Sequence, residues 1–346
     1  MCNSSLHRLL ARLPKCEHHI HLEGALSPSL LYDLASKNEV TLPSPTDDPA
    51  WASPSTLAAR YKRFTSLDDF LHYYLIGMSV LQYASDFEAL AWDYFLHAKA
   101  DNVMHAEVCF DPQAHTERGV AYSTVLSGVR RACWRAETEL GISTKLIVCF
   151  LRHLSVPSAL QTFNVAKPDL LNGTLAGIGL DSSEKGYPPE LWEDIFSAAK
   201  EQGIMRTAHA GEEGPPEYIA SALSSLHVSR IDHGIALASS PLLLDTVAAS
   251  PTLLTVCPIS NVRLRCVSSI AELPIRIFLD KGVKFSINSD DPAYFSGYVL
   301  DNYCAVQEAF DLSVEDWNTI CRAGIEGSWC STERKSEMRA LLERTF

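Results

Sequence analysis

Two histidines separated by one residue, His19 and His21, sit in a short apolar run near the start of the 346-residue chain. Residues i and i+2 of a strand face the same way, so one strand could aim both imidazoles at a single point. Comparable groups recur in three later segments: His209-Ala210-Gly211-Glu212, Ile231-Asp232-His233-Gly234 and Ser289-Asp290-Asp291-Pro292. Ionisable groups are costly in an apolar interior unless paired or bound to metal. Three imidazoles (His19, His21, His209) and the Asp290 carboxylate suit a divalent metal with an open position, zinc above all. Such a metal lowers the pKa of a bound water to about 7. Neighbouring groups must then orient that water and deliver protons. Glu212 lies three residues past His209, close enough to face the metal without binding it; alternatively it caps the following helix. His233 either orients the water or serves as a fourth nitrogen ligand. Asp291 either accepts a substrate N–H or acts as a helix N-terminal carboxylate before Pro292. His18 breaks the alternation of its strand and is expected to point away, in a structural role.

Short strands are expected at 18–22, 102–110, 145–150, 174–180, 204–209, 230–233, 252–256 and 283–288. They alternate with helical patterns at 122–140, from 156, and at 189–202, 216–226, 241–250 and 270–281. Strands that are apolar without alternation are what a parallel sheet covered on both faces requires. Eight β/α repeats imply an α/β chain folded as a (β/α)8 TIM barrel, whose active site lies at the C-terminal strand ends. The runner-up is an open doubly wound sheet, and the lack of a G-x-G-x-x-G after the first strand counts against a dinucleotide fold. Residues 39–100 are too long for one crossover and form a helical insertion after strand 1, with a loop at 42–54 and helices at 57–64 and 67–100. That insertion is either outer packing or a lid over the barrel mouth. The segment 302–346 adds C-terminal helices, and the whole of 1–346 reads as one domain.

The formal net charge of -13 argues against a nucleic-acid partner, because a polyphosphate would be repelled. No run of 18 apolar residues is present to span a membrane, and residues 1–13 lack the apolar core of a signal peptide. The ten cysteines include no C-x-x-C pair and read as reduced, mostly buried thiols. A cytoplasmic protein, with a nuclear pool as an extension, is the expectation.

The segments Lys15-Cys16-Glu17-His18-His19-Ile20-His21-Leu22-Glu23-Gly24, His209-Ala210-Gly211-Glu212, Cys257-Pro258-Ile259-Ser260-Asn261-Val262 and Asn288-Ser289-Asp290-Asp291-Pro292 resemble the adenosine/adenine deaminase family, in order and in spacing. The stretches Phe110 to Gly119, Gly179-Leu180-Asp181-Ser182-Ser183-Glu184, Arg230 to Gly234 and Asp291 to Phe295 are similar to its adenine-specific branch, found in fungi and many bacteria. In that family adenosine-specific members usually carry Gly where Asp232 stands and Thr where Ser289 stands. The resemblance implies one zinc per chain held by His19, His21, His209 and Asp290. It implies Glu212 as proton donor to the purine ring and His233 as the group that orients and deprotonates the water. Asp291 and Gly179 are the implied base-binding positions. The implied reaction is hydrolysis of adenine to hypoxanthine and ammonia in purine salvage, with a small purine base as the partner. Adenosine, a modified adenine or another aminoheterocycle is the alternative substrate, and a non-catalytic metal-binding protein is the remote one. No lysine stands on the fourth strand, so a lysine-bridged two-metal centre is not expected. His18, Ala25 and Ser296 depart from the family's usual leucine, Ser/Thr and Gly, and Ser296 is a position expected to affect substrate fit.

Overall fold

The computed structural model describes residues 4–346. Eight parallel strands run in sequence order around one sheet: β1 (Lys15–His21), β2 (Val103–Phe110), β3 (Ser143–Leu151), β4 (Gly177–Asp181), β5 (Met205–Ala210), β6 (Arg230–His233), β7 (Leu253–Val256) and β8 (Lys284–Ile287). The barrel closes between β1 and β8 through a parallel bridge of Ile20 with Asp290. At that seam His21 N–H donates to Asp290 O at 2.9 Å, and Asp290 N–H donates to His19 O at 3.0 Å. The expected (β/α)8 barrel is therefore the fold, and the open sheet is excluded. Residues expected to do chemistry also zip up the last edge of the barrel.

Burial explains the strand composition. All residues of β1, β4, β6 and β7 are buried, as expected when helices cover the outside and side chains fill the inside. The connection after β1 contains the helices Pro28–Lys37, Pro54–Tyr61, Leu67–Met78 and Ala84–Ala100, the last three within the expected insertion. The expected single helix over 67–100 is broken at 79–83, where the Asp86 carboxylate accepts from Gln82 and Tyr83 N–H at 3.0 and 2.9 Å. Ser66 starts the third of these helices by accepting from Asp69 N–H at 3.1 Å, with Asp68 and Asp69 favouring its positive N-terminal end. The expected helix over 270–281 is likewise shortened to Ile275–Lys281, since Pro274 interrupts it. Helices Val299–Phe310, Val314–Gly327 and Thr332–Thr345 end the chain, and the middle one packs against β1 and β8.

The aromatic face of the insertion lies over the barrel mouth. Tyr61 stacks on Tyr294 with ring centroids 4.5 Å apart, and Phe70 meets Phe295 at 5.0 Å. None of the described cysteines forms a disulfide. Among the described residues no helix is long and apolar enough to cross a membrane.

Candidate active site

The register of β1 shifts between Glu17 and Ile20, and neighbouring side chains leave the strand toward different partners. Glu17 accepts from Tyr94 Oη at 2.7 Å and from Ser289 N–H at 3.1 Å. His18 is tied to Ser286 Oγ at 3.0 Å and Ser328 Oγ at 2.8 Å, away from the other histidines, as its structural reading required. His19 and His21 instead converge, with their Nε2 atoms 3.2 Å apart. Asp290 Oδ1 lies 3.3 Å from His19 Nε2 and 3.4 Å from His21 Nε2. The His209 ring comes within 4.7 Å of His19 and 5.2 Å of His21, and its Nδ1 is buried without a hydrogen-bond partner.

These donors fit a metal. A tetrahedral zinc with bonds of about 2.0–2.1 Å holds its ligand atoms about 3.3 Å apart, which is the separation found among the two Nε2 atoms and Asp290 Oδ1. Ligand atoms of His19, His21 and His209 all lie within 4.8 Å of one another. Burial, followed by the charge of the neighbouring imidazoles, pushes His209 well below the usual histidine range, so its ring stays neutral and keeps a lone pair. Burial opposes the ionised form of Asp290, but the adjoining His19 overrides it and holds the carboxyl well below the usual range. Asp290 also adopts a left-handed backbone, φ 67°, as does His233, φ 62°. Conformations of that kind in non-glycine residues cost on the order of 1–3 kcal/mol and concentrate at functional sites.

Two proton-handling groups adjoin the cluster. Glu212 Oε2 is 3.4 Å from His233 Nε2. Burial, reinforced by the charges of Asp290 and Glu184, pushes Glu212 well above the usual carboxyl range, which favours its protonated form. Burial, with the nearby imidazole of His19, pushes His233 down to about 3 and keeps it neutral. Asn261 Nδ2 and His233 Nδ1 are 3.1 Å apart, while Asn261 Oδ1 is buried without a partner. The reversed amide orientation would let Oδ1 accept from Nδ1–H, leaving the His233 Nε2 lone pair facing the site. Asp291, pushed well above its usual range by burial and by Asp290, lines the same pocket as His21, His209, Glu212 and His233. Its close approach to the chain explains Gly24, because any Cβ there would overlap the Asp291 carboxylate.

The structure thus brings His19, His21, His209, Glu212, His233, Asp290 and Asp291 together. Gly179 lies apart, in the middle of β4, where a Cβ would press on Cys149 Sγ, and it does not line the pocket. Asp181 and Ser182, farther along the same segment, occupy the wall in its place. Ser296 is exposed at φ 59°, ending a short helix, and does not itself line the pocket. Leu67, Phe70, Leu71 and Tyr74 of the insertion do line it, which places that segment over the site as well as in the packing.

Some contributors lie in segments noted in the sequence but were not singled out there. Asp111 and Asp181 extend the acidic wall, with Asp181 Oδ2 3.4 Å from His21 Nδ1. Glu184 accepts from the N–H groups of Gly211, Glu212 and Gly214 at 3.0, 2.9 and 2.9 Å, and so holds the loop that carries Glu212. Arg152 donates to His209 O at 2.8 Å, just before that loop.

The family model for adenosine deaminase matches residues 14–345. The chain belongs to the adenosine deaminase family. The adenine deaminase of Schizosaccharomyces pombe is 54% identical to it over 346 residues, covering 99% of this chain and 94% of that protein. The adenine deaminase of Aspergillus fumigatus is 55% identical over 340 residues, covering 98% and 96%. Among solved structures, adenine deaminase from Arthrobacter aurescens superposes with a TM-score of 0.91 at 41% identity, covering 96% of this chain and 98% of that one. An amidohydrolase from Burkholderia ambifaria with bound zinc gives a TM-score of 0.89 at 26% identity, covering 100% and 94%. As an adenosine deaminase family member the chain is a hydrolase, and its converging imidazoles and carboxylate are the part of it suited to a metal ion.

Proposed function

We propose that this chain hydrolyses adenine to hypoxanthine and ammonia, with one zinc held by His19, His21, His209 and Asp290. The observation that carries the chemistry is the pairing of Glu212 with His233 beside the ligand cluster, 3.4 Å apart. Zinc supplies a Lewis acid and lowers the pKa of water to about 7. His233, kept neutral, takes the proton of the attacking water at Nε2. Glu212 delivers its own proton to the ring nitrogen beside the amino-bearing carbon, so electrons entering from water have somewhere to go. Asp291 hydrogen-bonds the imidazole side of the base and sets its orientation. The water oxygen becomes the new carbonyl oxygen: His233 passes its proton to the amino group, which leaves as ammonia, and the remaining hydroxyl proton returns to Glu212 as the carbonyl forms. The insertion's Phe70 and Tyr74 cover the pocket and limit the access of bulk water.

The near-full-length likeness to fungal adenine deaminases supports adenine over adenosine as substrate. Buried thiols without disulfides fit a reducing compartment, and we place the reaction in cytoplasmic purine salvage. The test is ammonia release by zinc-loaded protein from adenine and from adenosine at equal concentration. Faster release from adenosine would replace the proposed substrate, and release from neither would reject the reading.

A further inference from the structure

We propose that Asp232 is a positioning residue for the metal centre, fixing the orientation and tautomer of His19 through the hydroxyl of Thr255. The inference rests on His19 being a metal ligand. The three residues come from β6, β7 and β1, and all are buried. Asp232 and Thr255 are partners in the β6–β7 ladder, and Asp232 and His209 are partners in the β5–β6 ladder, so Asp232 shares the inner layer of the barrel with the ligands.

The hydrogen bonds run in one direction. Thr255 Oγ1 donates to Asp232 Oδ1 at 2.8 Å, and Thr207 Oγ1 donates to Asp232 Oδ2 at 2.6 Å. A carboxylate only accepts, so each hydroxyl proton is committed to it. Thr255 then has lone pairs, and no proton, left for His19 Nδ1 at 3.0 Å. His19 must therefore carry its proton on Nδ1, which leaves a lone pair on Nε2. That nitrogen is the one facing His21 Nε2 and Asp290 Oδ1 at 3.2 and 3.3 Å. With Asp232 absent, the Thr255 hydroxyl is free to turn and donate to Nδ1. The proton of His19 would then sit on Nε2, the tautomer that cannot bind a metal. Partners of this outer kind typically govern about 10–100-fold in metal affinity. Here a hydroxyl stands between the carboxylate and the imidazole, so the effect of Asp232 reaches His19 through Thr255 Oγ1, while the backbone of Thr255, a second contact of the ring, is left in place by substitution at 255.

The experiment measures zinc affinity by chelator competition on the full chain, with thermal unfolding of the metal-free forms alongside. Thr255→Val is nearly isosteric and removes only the relay; it should weaken zinc binding by about 10–100-fold. Thr255→Ser restores the hydroxyl and should bring affinity back close to wild type, a rescue that a packing role for the methyl group would not produce. Asp232→Ala should match Thr255→Val, and the double variant should be no weaker than either, because both break one chain. Should Asp232→Ala not fold, the Val and Ser pair at 255 still decides. Wild-type affinity in Thr255→Val, no rescue by Thr255→Ser, or losses that multiply in the double variant, would each overturn the relay while leaving the metal centre intact. A wild-type protein that binds no zinc would overturn both.

Discussion

At the N-terminal end of the barrel, Glu107, His105 and Arg230 are as deeply buried as the groups at the mouth, yet they answer one another. Arg230 pairs with Glu107 Oε2 at 2.7 Å and lies over the Trp329 ring at 4.2 Å from its centroid. His105 Nε2 is 3.1 Å from Glu107 Oε1, and Trp329 N–H donates to the same oxygen. At the mouth, His19 and His21 point nitrogens at each other, while His209 Nδ1 and His233 Nε2 have no hydrogen-bond partner. Even within one strand the contrast holds: His18 is bonded at both nitrogens, whereas its neighbour His19 turns Nε2 to the ligand cluster. The same residue types serve the fold where opposite charges are paired, even though Arg230 Nε and Nη1 and Glu107 Oε2 make no hydrogen bond. Where imidazole nitrogens and a carboxylate converge with no opposing cation among them, they suit a metal ion.

The largest effect that could break this comparison is at Asp290. Asp290→Ala should lose zinc and turnover together, as read by elemental analysis and ammonia release; full zinc retention would mean that the mouth is not organised around this carboxylate. Next is His233→Ala, expected to keep zinc and lose about 10²–10⁴-fold in kcat. A metal-free preparation would instead make His233 a ligand. The N-terminal end should respond differently. Glu107→Ala leaves Arg230 buried without its partner and should cost about 3–5 kcal/mol of stability in denaturant unfolding. The molecules that remain folded should keep their zinc and their KM for adenine. A loss of zinc at unchanged stability would erase the distinction between the two ends. The pair also has a pH signature. Burial alone would raise Glu107, but Arg230 overrides it and depresses it well below the usual carboxylate range. A depressed carboxyl contributes stability above its unfolded value of about 4.3, which is lost as pH falls through the folded value.

What the sequence made legible follows the range of the interactions involved. β6 is found where its residues suggested, Arg230–His233, because a run of four between clear turn residues leaves little choice. The convergence of the proposed ligands His19, His21, His209 and Asp290 was readable because each lies toward a strand end and the barrel brings strand ends together. The break at 79–83 was not readable, since apolar periodicity continues across it and the Asp86 carboxylate that caps the next helix is itself fixed by Lys37 and Asn38, far off in the sequence. Glu184 lies inside a recognisable segment, but its role appears only when its carboxylate is seen to hold three N–H groups about 30 residues away. The relay from Asp232 through Thr255 to His19 joins three strands, and no local pattern marks Thr255. Gly179 shows the converse: a residue inside a diagnostic segment serves strand packing, while Asp181, two positions on, faces the pocket.

Glu212→Gln tests the central claim most directly, because that residue separates a deaminase from a passive metal site. The amide keeps the shape and can donate a hydrogen bond, but it cannot deliver a proton to the ring. Zinc content, affinity for a purine inhibitor and ammonia release are to be measured on one preparation. The account predicts normal zinc, retained inhibitor binding and a rate reduced by at least about a hundredfold. Near-normal ammonia release with zinc and binding intact would contradict it, since another group would then supply the proton.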